Sequence, residues 1–176
     1  DFGGYPYRLL NEEGMVFRSR NEHFLKACER YIMRLGEELS SQTINRGDNI
    51  LMVQLENEYI YFDMESEKKE EFLRVLSDAC IRNGIDVPLF TCVTPEVRGS
   101  HDPVISQLFD MDNQYVWWNM HEAKSRIEKL KAEQPNAPAF VCELQGGWFS
   151  TVGGRLSEDS YLDGRHARGM ALMAMA

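Results

Sequence analysis

Basic residues are in short supply. The chain carries 19 Lys plus Arg against 28 Asp plus Glu, a formal net charge of −9 over 176 residues. Proteins that neutralise phosphates carry basic patches. None is visible, which argues against nucleic acid and against an anionic membrane surface as partners. Long apolar runs are missing too: nothing approaches the roughly 18 consecutive apolar residues of a membrane-spanning helix. Cysteine and histidine are sparse, four of each. Cys28, Cys80, Cys92 and Cys142 form no C-x-x-C pair, and His23, His101, His121 and His166 lack metal-ligand spacing. Neither a metal centre, a disulfide framework nor a bound cofactor is therefore expected. No N-x-S/T sequon occurs. Gly153-Gly154 sits in no phosphate-cradling pattern and reads as a turn.

What remains is an ordinary folding composition, 43% apolar, 11% aromatic and 27% charged, which excludes disorder by composition. The length fits one domain or a piece of one. The chain opens Asp1-Phe2-Gly3-Gly4-Tyr5-Pro6 and closes on the apolar helical pattern Ala171-Leu172-Met173-Ala174-Met175-Ala176. Both ends look cut, so residues 1–176 read as a fragment of a single domain with no second domain. Compartment and oligomeric state are left open.

Short apolar runs alternate with amphipathic stretches. Ser19 and Glu22 have capping-box spacing, and Phe24, Cys28, Tyr31, Leu35 and Leu39 follow at helical intervals as a buried stripe. Ile50 to Leu55 reads as a first strand, covered on both faces. A charged helix follows from Ser66, with Phe72, Val75, Leu76, Ala79 and Cys80 inward and Asn83-Gly84 as its stop. Val87 to Cys92 is a second strand, with a short helix predicted near Val104 to Phe109. Tyr115 to Asn119 is a third strand, Glu122 to Glu133 a helix, and Ala139 to Cys142 a fourth strand ended by Glu143. A last helix is expected to begin near Ser157 to Ser160. Strand–helix alternation implies a parallel α/β sheet. Four strands fit an open doubly wound sheet or part of an eight-stranded barrel.

Reactive residues of such folds gather at the C-terminal ends of the strands. Two carboxylates stand there, Glu58 just past the first strand and Glu143 at the end of the fourth. Paired carboxyls are what glycosidic bond cleavage needs: one protonates the departing oxygen and the other attacks the anomeric carbon. Asn57 is placed to bond a sugar hydroxyl, and Trp148 to offer an apolar face to a pyranose ring. Glu56 stands at the site rim or the sheet interior. Trp117 and Trp118 point to opposite faces of one strand and read as core.

Four motifs in order, Asp1-Phe2-Gly3-Gly4-Tyr5-Pro6, Met52-Val53-Gln54-Leu55-Glu56-Asn57-Glu58-Tyr59, Pro88-Leu89-Phe90-Thr91 and Glu143-Leu144-Gln145-Gly146-Gly147-Trp148-Phe149, resemble glycoside hydrolase family 35, the β-galactosidases of clan A. The resemblance spans nearly the whole chain. It implies a (β/α)8 barrel represented here by about its fourth to seventh strands, a β-galactoside substrate, and net retention of configuration. It further implies that Glu58 is the acid/base and Glu143 the nucleophile, that Asn57 binds the reacting sugar and that Trp148 lines its pocket; Gln145 and Glu56 are also expected among the substrate-binding residues. Ile60, Gln145 and Val152 depart from the family pattern, at positions that bear on sugar and aglycone preference. Two other readings fit the same residues: a clan A glycosidase for a different β-linked sugar, and a sugar-binding relative without catalysis.

Overall fold

A computed structural model describes residues 4–61, 66–115, 122–145, 152–154 and 168. Trp117, Trp118, the remainder of the expected third strand after Tyr115, Trp148 and the expected last helix lie outside the described residues. So do Asp1, Phe2 and Gly3 of the first motif.

Four strands, β1 (Val53–Gln54), β2 (Leu89–Cys92), β3 (Phe109–Tyr115) and β4 (Val141–Gln145), form one sheet in chain order. Every neighbouring pair is parallel, in the registers Val53↔Leu89, Phe90↔Phe109 and Asn113↔Glu143. The sheet curls into part of a (β/α) barrel. Among the described residues four α-helices accompany it: α1 (Tyr7–Leu10), α2 (Glu22–Leu39), α3 (Ser66–Arg82) and α4 (Ala123–Glu133).

Successive strand residues face opposite sides, and the two sides pack separately. Leu55 and Leu89 join Phe24 and Ile32 of α2 and Phe72, Leu73 and Leu76 of α3 in the larger core. Phe90, Phe109 and Met111, backed by Met52, Ala137 and Cys142, make the smaller cluster on the other face. All four residues of β2 are buried, as the continuous apolar run predicts for a parallel strand covered on both sides.

Several local expectations are corrected. Helix α2 is capped by Asn21, whose side chain accepts the Phe24 N–H at 3.1 Å, while Ser19 donates to the carbonyl of Val16. Tyr31 is exposed and Ile32 takes the buried position. In α3, Leu73 rather than Val75 is fully buried.

The third strand is the larger difference. It runs from Phe109 to Tyr115 instead of starting at Tyr115. Its alternation hides a polar outer side, Asp110, Asp112 and Gln114, all buried. Arg98 Nε donates to Asp110 at 2.8 Å, and Arg126 Nε to Asp112 at 2.8 Å. The Gln134 side chain closes both backbone groups of Asp110, at 2.7 and 2.9 Å. Buried polar groups are tolerated when each is bonded. These partners come from outside the strand, so local hydrophobic pattern could not announce it.

Helices α2 and α3 meet at Gly36. A Cβ there would come 2.3 Å from the Asn83 carbonyl oxygen and 2.6 Å from Asn83 Cβ. Ala is the better helix former by about 1 kcal/mol, yet overpacking of a fixed contact costs roughly 1–3 kcal/mol. Gly36→Ala is therefore expected to lower stability, read as a reduced urea midpoint with an unchanged slope.

Candidate functional site

The loop leaving β1 carries Glu56-Asn57-Glu58. Glu56 (φ 64°) and Glu58 (φ 51°) adopt left-handed backbone conformations, as do Val93 (φ 49°) after β2 and Arg18 (φ 51°). Each such turn costs a non-glycine residue about 1–2 kcal/mol, so neighbouring contacts must hold it. The two loops clasp one another: Glu58 N–H donates to the Cys92 carbonyl at 2.8 Å and Ile60 N–H to that of Val93 at 3.2 Å. Strain of this kind concentrates at functional sites.

Arg18 supports the same loop from a distant part of the chain. Its Nε donates to Glu56 Oε1 at 2.9 Å, its Nη2 pairs with Glu56 Oε2, and that nitrogen also reaches the Asn57 carbonyl at 2.6 Å. The Asn57 N–H donates to Glu56 Oε2 at 2.9 Å. The Tyr59 hydroxyl, donating to the Arg18 carbonyl at 2.8 Å, anchors the arginine in turn. The side chains of Arg18 and Glu56 are only 16% and 10% exposed. Arg18→Met strands the Glu56 carboxylate. It is expected to cost roughly 2–4 kcal/mol, below the ~3–5 kcal/mol of a fully buried pair. Arg18→Lys should recover only part, since an ammonium lacks the two-pronged fork. Urea denaturation of the three proteins checks both statements.

Asn57 projects outward. Its Oδ1 accepts from Gln54 Nε2 at 3.0 Å, and the residue is exposed. Glu58 is half-buried, and its Oε1 accepts from Asn113 Nδ2 at 2.7 Å.

Glu143 does not end its strand; it lies in the middle of β4. One carboxylate oxygen accepts the hydroxyl proton of Tyr115. Asn113 and Tyr115 are two residues apart on β3, which places them on one face about 6.6 Å apart. The residue that holds Glu58 and the residue that holds Glu143 are thus neighbours on the strand between them. Burial, the bond to Glu143 and the charges of Glu143 and Glu58 all push the Tyr115 hydroxyl above its ordinary range. Its proton therefore stays available as a donor to the carboxylate. The backbone of Gln145 pairs with Tyr115. Trp148 lies outside the described residues. Among the described residues, no group of His, Cys, Asp and Glu is arranged to hold a metal ion, and no helix is long and apolar enough to cross a membrane.

Sequence reasoning singled out Glu58 and Glu143, which the fold brings together through β3. It missed Arg18, Asn113 and Tyr115 as their supports. Asn113 sits in the polar run Asp112-Asn113-Gln114, where it interrupts the apolar series Phe109, Met111 and Tyr115 on its own face of the strand.

A curled parallel sheet with two carboxylates gathered over one strand is the layout on which (β/α)8-barrel glycoside hydrolases are built. The profile of Glycosyl hydrolases family 35 matches residues 1–173, and the chain belongs to that family. It is 27% identical to "Beta-galactosidase-1-like protein 3" of Mus musculus, across 94% of this chain and 24% of the relative. It is 29% identical to a "Beta-galactosidase" of Xanthomonas manihotis, across 86% of this chain and 24% of the relative. To "Probable beta-galactosidase E" of Aspergillus fumigatus it is 25% identical, across 89% of this chain and 17% of the relative. The chain spans about a quarter or less of the length of these relatives.

Proposed function

We propose that the protein carrying this chain is a retaining glycoside hydrolase that releases terminal non-reducing β-D-galactose from β-galactosides. The observation that carries the reading is the pairing of Glu58 and Glu143 through Asn113 and Tyr115 on the strand between them. In the first step the Glu58 carboxyl gives its proton to the departing glycosidic oxygen. The Glu143 carboxylate forms a bond to the anomeric carbon as the bond to that oxygen breaks. In the second step the Glu58 carboxylate takes a proton from water, the water oxygen bonds to the anomeric carbon, and Glu143 leaves. Two inversions at one carbon restore the starting configuration.

The surroundings suit these roles. Asn57 Nδ2 has no partner among the described residues and faces outward, fit to donate to a hydroxyl of the reacting sugar. Gln145 and Trp148 are proposed to line the same pocket. Glu56 is proposed to act on the sugar through Asn57: its carboxylate is taken up by Arg18 and by the Asn57 N–H.

The experiment is a panel of aryl β-glycosides offered to the full-length protein, with the anomer of the first-formed sugar followed by NMR. Turnover of the galactoside with a β-anomer as first product supports the reading. Preference for another sugar, an α-anomer, or no hydrolysis of any member overturns it.

A further inference from the structure

Behind Glu58 lies a pair of thiols that the proposed reaction leaves unused. Cys92 ends β2 and is fully buried, while Cys142 is half-buried in β4, next in sequence to Glu143. Although β3 runs between their strands, the two sulfurs are 2.9 Å apart. Both converge on one atom: Cys92 Sγ is 2.8 Å and Cys142 Sγ 3.3 Å from Oδ1 of Asn113. Cys142 Sγ also lies 3.5 Å from the Asp112 carbonyl. The other end of the same amide, Nδ2, is the group that donates to Glu58.

A primary amide has nearly the same shape either way round, so its direction is set by what surrounds it. A carboxylate only accepts, whereas a thiol has a proton to give. With Oδ1 accepting the Cys92 thiol proton and Nδ2 donating to Glu58, both ends of the amide are matched donor to acceptor. Turned over, the amide would oppose oxygen to carboxylate and take from the Cys92 thiol its oxygen acceptor.

We infer that Cys92 and Cys142 are positioning residues, a donor chain from Cys142 through Cys92 to Asn113 that holds the amide with Nδ2 on Glu58. The inference rests on Glu58 being the acid/base proposed above. Each link polarises the next in a site shielded from water. Because Cys142 adjoins Glu143, the chain also ties the strand of one carboxylate to the loop of the other.

The test is Cys92→Ala in the full-length protein, assayed on β-galactosides with alkyl and with dinitrophenyl leaving groups. Alkyl leaving groups need the proton from Glu58 and activated aryl groups hardly do. The expected result is a loss of about 10-fold in kcat/KM on the alkyl substrate and less than about 2-fold on the aryl one. Cys92→Ser, which keeps a donor, should recover most of the loss. Cys92→Ala added to Asn113→Ala should cost nothing further, because the thiol acts through the amide. Equal losses on both substrates, no recovery with serine, or additive effects overturn the inference. If Cys92→Ala does not fold, Cys142→Ala at the half-buried end must give the same split, about 3-fold; equal losses there overturn it as well. A wild-type protein inactive on every glycoside sinks the hydrolase reading together with this inference. An active wild type whose variants show no split sinks the inference alone.

Discussion

Glu143→Gln in the full-length protein is expected to lower kcat on a β-galactoside by about 10⁴-fold or more, the scale seen when one member of a cooperative catalytic group is removed. The amide keeps the size of the side chain and can still accept the Tyr115 hydroxyl proton that Glu143 receives. The loss would then reflect missing nucleophilicity and not a collapsed pocket. A melting curve close to wild type should accompany it. Incubating wild-type protein with a 2-fluoro galactoside should trap the covalent intermediate, because the fluorine slows hydrolysis of the glycosyl-enzyme. Peptide mass spectrometry should then place the sugar on the segment containing Glu143. A label on Glu58, Glu56 or another carboxylate would remove Glu143 from the role.

Glu58→Ala is expected to divide substrates by leaving group. Poor leaving groups should lose on the order of 10²–10⁴-fold, the range general acid catalysis supplies. Activated aryl galactosides depart without a proton and should lose far less in the first step. Their second step still lacks a base, so the intermediate should accumulate and added azide should restore turnover as a galactosyl azide. The truncation also takes away the acceptor of Asn113 Nδ2 and exchanges a left-handed glutamate for a left-handed alanine, so the backbone cost changes little. A uniform loss on all substrates with no azide product would contradict the assignment.

The parts legible in the sequence were those written locally. The apolar run of β2 and the spacing of Phe72, Leu76, Ala79 and Cys80 in α3 each carry their own signal, and the structure places them accordingly. Of the two carboxylates, Glu58 stands where β1 has run out, as the sequence suggested, whereas Glu143 lies inside β4 and not at its end. What failed were features whose cause is distant in the chain. Strand β3 was misplaced because Asp110 and Asp112 look like loop residues until Arg98 and Arg126 are known to meet them. The Arg18–Glu56 pair had no local signal, because Arg18 lies 38 residues away in a separate segment. Asn113 had no reason to be singled out before Glu58 and the two thiols were seen around it.

The chain order of the sheet also sets a timetable. Strands that pair with their nearest successors can assemble as they leave the ribosome, one βα unit upon the last. The site cannot. Asn113, which holds Glu58, emerges 55 residues after it, and Glu143 follows Tyr115 by a further 28. At roughly 5–20 residues per second, the left-handed loop of Glu58 waits several seconds for its support, and longer for its partner. During that interval the loop is shaped by Arg18, by Gln54 and, once β2 has emerged, by the Cys92 and Val93 carbonyls. The link between Glu58 and Glu143 through β3 is thus completed only after β1 and β2 are in place.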